Sequence, residues 1–148
     1  MLTGIPPLLG PDLLHALRAM GHGDEIALVD ANFPAAAQAR RLIRADGLSL
    51  ADVLDAVLQV LPLDRSVPGA IFRAALNNDP SQAGPVHRQI DALCAARAQG
   101  FGVTPLAGPD LYTRIDRAFV LVATGEMQTY ANVILRKGVI GAPPPANG

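Results

Sequence analysis

Gly21-His22-Gly23-Asp24-Glu25-Ile26-Ala27-Leu28-Val29-Asp30 is the stretch on which the fold turns. Four aliphatic residues between Glu25 and Asp30 read as a short buried strand with a carboxylate at its far end. Just before it, Leu13, Leu14, Leu17 and Met20 recur at helical spacing over 11–20. Asp12 suits the positive end of that helix dipole, and Gly21 ends it. A helix followed by a buried aliphatic strand is therefore the opening unit.

The unit repeats along the chain. The spacing predicts a short helix over 35–42, a strand near Ile43 and a turn at Asp46-Gly47. Ser49, with Asp52 three positions on, caps a helix that buries Leu50, Val53, Leu54, Val57, Leu58 and Leu61 before Pro62 stops it. A strand follows over 70–76, and Asn77-Asn78-Asp79-Pro80-Ser81 forms a loop. Pro85 opens a helix with Val86, Ile90, Leu93 and Cys94 on one face and Gly100 beyond its end; Pro109 opens another that runs to about Arg117. Strands are predicted over 119–123 and 130–135, joined by a turn at Thr124-Gly125-Glu126. Such alternation predicts a three-layer α/β/α domain with a mostly parallel, mixed sheet whose final strand is antiparallel. Residues 1–140 are expected to form this one domain, with 141–148 as a disordered Pro/Gly tail.

Composition narrows the function classes. A chain of 148 residues that is 50% hydrophobic can bury a sizeable core. Its net charge of −1, with the positives spread along the sequence, argues against nucleic acid as the main partner. No apolar run approaches the ~18 residues of a membrane span, and the start of the chain lacks the features of a signal peptide. The single Cys94 excludes an intrachain disulfide and a cysteine zinc site. These readings predict a cytoplasmic protein. Low charge and abundant alanine leave apolar surface to place, which favours a homo-oligomer.

Three polar clusters can carry chemistry. His22 stands between two glycines just after a helix, and an unperturbed imidazole exchanges protons near neutral pH. The ordinary alternative is a surface histidine near a helix C-terminus. Asp30 sits at the carboxyl end of a strand, where α/β sheets collect ligands, though it could equally cap the next segment. Tyr130 and Asn132, two apart on a predicted strand, would share a face and offer a phenol and an amide to one ligand. One histidine with two neighbouring carboxylates falls short of a metal set. No Walker-type phosphate loop, dinucleotide glycine fingerprint or Gly-x-Ser-x-Gly elbow is present. Cys94 reads as core rather than nucleophile, and His15 and His87, inside helices, as structural or solvated.

With these clusters in view, the chain resembles the ribose pyranase and L-fucose mutarotase family, its fucose branch above all. The resemblance is carried by Met20-Gly21-His22-Gly23-Asp24-Glu25-Ile26, Asp30-Ala31-Asn32-Phe33-Pro34-Ala35 and Ile43-Arg44-Ala45-Asp46-Gly47. It continues through Ala118-Phe119, Thr124-Gly125-Glu126, Tyr130-Ala131-Asn132 and Lys137-Gly138-Val139, from roughly Pro7 to Val139. It implies a three-layer α/β fold, no cofactor and no metal. It also implies ring-shaped homo-oligomers, a decamer of two pentameric rings among them, with sites at subunit boundaries. It assigns the proton donor to His22 and sugar binding to Asp30 and to Tyr130, Ala131 and Asn132. Tyr112 falls where fucose-type members carry a tyrosine. Two positions depart from the pattern: Gly108 stands where an arginine is common in the sugar pocket, and Asn32 where a histidine is common.

The implied activity is interconversion of the α and β anomers of L-fucose or a related monosaccharide. Ribose-type pyranose–furanose conversion and non-catalytic sugar binding are the alternatives. Anomers exchange through the open-chain aldehyde, so an acid at the ring oxygen and a base at the anomeric hydroxyl suffice. One geometric difficulty arises at once. His22 precedes the strand that Asp30 follows, so either a neighbouring protomer supplies His22 or the first loop folds back.

Overall fold

The computed structural model describes residues 1–141 and 145–146. In chain order its elements are α1 (Pro11–Ala19), β1 (Glu25–Val29), α2 (Ala35–Gln38), β2 (Leu42–Ala45), α3 (Leu50–Leu58) and β3 (Ile71–Arg73). There follow a 3₁₀ turn (Leu76–Asn78), α4 (Pro85–Arg97), β4 (Val103–Pro105), α5 (Gly108–Arg117), β5 (Val120–Thr124) and β6 (Val133–Arg136). All six strands join one sheet in the order β2-β5-β1-β6-β3-β4. The pairs β2–β5, β5–β1 and β3–β4 are parallel. β6 runs antiparallel to both its neighbours, β1 and β3. The final strand is thus antiparallel, as expected, but it lies inside the sheet rather than at its edge.

Strand alternation sorts the core into two layers. Ile26, Leu28, Val120, Val122, Val133 and Leu135 face α1, α3 and α4, whose Leu13, Leu17, Leu54, Val57, Ile90 and Cys94 cover them. Ala27, Val29, Leu121, Ala123 and Ile134 face α2 and α5, through Ala35, Leu111 and Ile115. The second layer is built from smaller side chains. Ser49 caps α3 as its sequence predicts: its hydroxyl accepts from the Asp52 amide at 3.1 Å.

Several boundaries differ from those the sequence suggests. α2 is four residues long because Leu42–Ala45 pair with β5 instead of extending the helix. Arg41 marks the change, stacking 3.9 Å over the Phe119 ring and donating to its carbonyl. The strand expected over 70–76 stops at Arg73, and Asn77 and Asn78 then adopt left-handed backbone angles, φ 56° and 60°. β4 is absent from the sequence reading; three residues ending in a proline give no readable pattern, and Pro105 fits because the strand is an edge. The last strand begins at Val133 rather than Tyr130, whose φ of 57° places it in a turn. Most of the 141–148 tail lies outside the described residues. Among those described, no helix is long and apolar enough to cross a membrane.

Candidate active site

The carboxyl end of β1 opens into a cavity of about 530 Å³. Asp30, Tyr112, Tyr130 and Asn132 all line it, with Asn32, Phe33 and Thr129 among the other wall residues. Three segments that are remote in sequence are therefore brought to one place. Ala131, the remaining residue of the predicted binding set, is fully buried and does not line the cavity.

Asp30 and Asn132 are locked together. The Asp30 amide donates to Asn132 Oδ1 at 3.1 Å, and Asp30 Oδ1 accepts from the Asn32 amide at 2.9 Å. Both side chains are nearly buried. Burial raises the Asp30 carboxyl above its ordinary value of 3.8, against the pull of the Asn32, Ala131 and Phe33 amides. Such a carboxylate is a strong acceptor for a sugar hydroxyl and takes up a proton more readily than an exposed aspartate.

Tyr130 and Asn132 do share the cavity, but not through strand alternation. The left-handed turn at Tyr130 swings its side chain to the cavity wall, and Asn132 lies just ahead of β6. His87 supports that turn. Its Nδ1 accepts from the Gly84 amide at 2.9 Å and its Nε2 lies 2.8 Å from the Tyr130 carbonyl oxygen, so the ring carries its proton on Nε2. Burial lowers the His87 pKa below 6.5. Its supporting role was hidden in the sequence, where a histidine inside an α-helix gives no sign of its partner 43 residues away. Tyr112, on α5, is half-exposed and its ring lies 6.2 Å from that of Phe33, near-parallel at 27°.

His22 is elsewhere. It sits beyond the opposite end of β1, which spans about 16 Å at ~3.3 Å per residue. There it lines a cavity of about 490 Å³ with Asp64, Arg65, Ser66 and Phe101. His22 Nε2 is 3.2 Å from Asp64 Oδ1 and 3.4 Å from Ser66 Oγ. Neither Asp64 nor Ser66 stood out in the sequence. The first loop does not fold back: Gly23 N donates to the Lys137 carbonyl at 2.8 Å, which pins the loop to the end of β6.

A third cavity, about 590 Å³, is lined by Arg40, Arg41, Arg114, Arg117 and Arg136, arginines dispersed in the sequence. Glu25 offsets part of this charge, accepting from Arg114 at 2.6 Å. Burial nevertheless raises its pKa above 4.5. The spacing of three between Arg114 and Arg117 on α5 was the available sign that two of these share a face. Cys94 is buried in the core, where burial pushes its thiol up to about 11. Among the described residues no three His, Cys, Asp or Glu side chains are grouped to hold a metal ion.

Gly108 begins α5 against Asn78. A Cβ at Gly108 would lie 2.9 Å from Asn78 Cγ, so the Asn78 side chain occupies the space a larger residue would need. Asn78 Oδ1 is buried and has no hydrogen-bond partner.

Comparison with known proteins agrees with this architecture. The fucose mutarotase of Homo sapiens is 40% identical over 149 residues, covering 97% of each chain. The crystal structure of the fucose mutarotase in complex with L-fucose from Streptococcus pneumoniae is 39% identical, with a TM-score of 0.84 over 95% of this chain and 100% of that one. Bacillus subtilis RbsD complexed with D-ribose, 20% identical, shares the fold at a TM-score of 0.72 over 95% and 100%. Residues 3–140 match the RbsD / FucU transport protein family, and with relatives this similar along nearly its whole length the chain belongs to that family.

Proposed function

We propose that the chain is a monosaccharide mutarotase that interconverts the anomers of L-fucose or a closely related sugar in the cytoplasm. The observation that carries this reading is the cavity at the carboxyl end of β1, which gathers Asp30, Tyr112, Tyr130 and Asn132 around a space the size of a monosaccharide. The 40% identity to a fucose mutarotase along the chain points the same way.

In this reading Asp30 accepts from sugar hydroxyls, and Asn132, whose oxygen is committed to the Asp30 amide, offers its Nδ2. The phenols of Tyr112 and Tyr130 frame the ring. His22 protonates the ring oxygen, while a tyrosine or a water takes the proton of the anomeric hydroxyl. The ring opens to the aldehyde, rotates about the bond to its carbonyl carbon and closes on the other face. Protons leave and return in equal number, and no electron is transferred. Because His22 and Asp30 lie beyond opposite ends of β1, a neighbouring subunit supplies the imidazole. The working form is then a homo-oligomer, for which a decamer of two pentameric rings is one arrangement.

Proton NMR tests the activity directly. Saturating one anomeric signal of L-fucose should diminish the other far faster with the protein present than in buffer. Exchange at the buffer rate for L-fucose, ribose, galactose and rhamnose alike would refute it and leave sugar binding without catalysis.

A further inference from the structure

Five arginines line one cavity of about 590 Å³, and that cavity shares no residue with the one around Asp30. Three separate regions of the chain supply them. α5 contributes Arg114 and Arg117 at a spacing of three, with Asp110 one turn before Arg114. Arg40 and Arg41 come from the connection between α2 and β2, and Arg136 ends β6.

Two of the five are already neutralised. Arg114 donates to Glu25 at 2.6 Å, and Arg136 Nε donates to Asp64 at 2.8 Å. Arg114 is also held 3.8 Å over the Phe72 ring. Arg41 is fixed by its stack on Phe119 and its bond to the Phe119 carbonyl, which leaves most of its N–H groups unused. Among the described residues, Arg40, Arg41 and Arg117 pair with no carboxylate. The wall holds two further acids, Asp24 and Asp110, of which Asp24 accepts from the Gly21 amide. Three guanidiniums against these two carboxylates leave a surplus of positive charge.

Such a wall suits a ligand with two chemically different ends. Guanidiniums match the oxygens of a phosphoryl group, whereas carboxylates and the Thr113 hydroxyl can accept from hydroxyl groups. A bare anion would leave Asp24 and Asp110 facing like charge, and a neutral sugar would leave three guanidiniums without a counter-charge. Half-buried Leu106 and Phe119 offer an apolar patch to a carbon skeleton. We propose that this cavity is a second ligand site, one for a phosphorylated monosaccharide: Arg40, Arg41 and Arg117 hold the phosphoryl group, and Asp24 and Asp110 accept from the sugar hydroxyls. The inference stands apart from the mutarotase reading, because it uses none of the residues assigned to that reaction.

Phosphorus NMR of the assembled wild-type protein with glucose 1-phosphate, glucose 6-phosphate and inorganic phosphate tests it. At least one sugar phosphate should bind saturably with a Kd below about 1 mM, roughly tenfold tighter than inorganic phosphate. The pair Arg40→Ala and Arg117→Ala should weaken that binding roughly tenfold. The pair Arg18→Ala and Arg88→Ala removes the same charge from exposed positions on α1 and α4, in the opposite helical layer, and should leave it within about threefold. Asp110→Asn should weaken the sugar phosphate yet tighten inorganic phosphate, a crossed response that a misfolded chain would not give. No saturable binding of either sugar phosphate at about 10 mM, equal affinity for inorganic phosphate, or equal losses in the two arginine pairs overturns the proposal. So does displacement by L-fucose, which would put the ligand in the Asp30 cavity. A changed oligomer mass in the Arg40 and Arg117 variant overturns it as well, because the cavity would then receive an acidic stretch of another copy.

Discussion

Nε2 of the buried His87 lies 2.8 Å from the carbonyl oxygen of Tyr130, tying the first turn of α4 to the left-handed turn on the cavity wall. Removing that imidazole strands two backbone groups, the Tyr130 carbonyl and the Gly84 amide. His87→Ala should therefore cost about 2–4 kcal/mol in urea unfolding and weaken sugar binding roughly tenfold. Unchanged affinity would show that the turn holds itself.

The same residue sets a pH dependence. Nδ1 already accepts from the Gly84 amide, so a second proton cannot enter without breaking that bond. Burial lowers the folded pKa below 6.5, while the unfolded chain takes up a proton near that value. The stability due to His87 is thus fully present above pH 6.5 and drains as pH falls toward the lowered folded value. Unfolding free energies of wild type and His87→Asn should converge as the pH falls from 7 to 5. Parallel curves would refute the assignment.

Subunit exchange tests the shared site. His22→Ala and Asp30→Ala chains should each be inactive alone. Mixed and re-equilibrated, they should regain activity at about one site in four if, as proposed, each site draws on two chains. Absence of rescue under demonstrated exchange would place both residues' functions within one subunit.

Gly108 offers a packing test. Gly108→Ala brings a methyl to 2.9 Å from Asn78 Cγ and should cost about 1–2 kcal/mol. Adding Asn78→Gly should return most of that loss, since it clears the space, removes an unpaired buried oxygen and suits a φ of 60°. Additive losses in the double variant would mean that the two residues do not compete for the same volume.

Ser49→Ala should lower stability by about 1 kcal/mol, the usual value of an N-cap whose hydroxyl accepts from the third residue on. A midpoint unchanged in thermal unfolding would contradict it.

Much of the fold was legible because it is written in local pattern. The aliphatic runs at Ile26–Val29 and Val120–Val122, and the stripe from Leu50 to Leu58, announce buried elements by spacing alone. β4 and the true start of β6 were not legible, since a three-residue edge strand and one left-handed tyrosine leave no periodic trace. Within the site, the residues drawn together around Asp30 could be named from motif and resemblance. The contacts of Asp64, Ser66 and His87 could not, because each meets a partner far away in sequence that only the folded chain brings near.

β6 has a consequence for how the protein is made. It is the seam of the sheet, flanked by β1 on one side and β3 on the other. A chain emerging from the ribosome can assemble β2, β5 and β1, but β3 and β4 have nothing to join until the segment after Tyr130 is released. Truncation before Val133 should therefore yield two unsealed half-sheets, both with bare edges inviting aggregation.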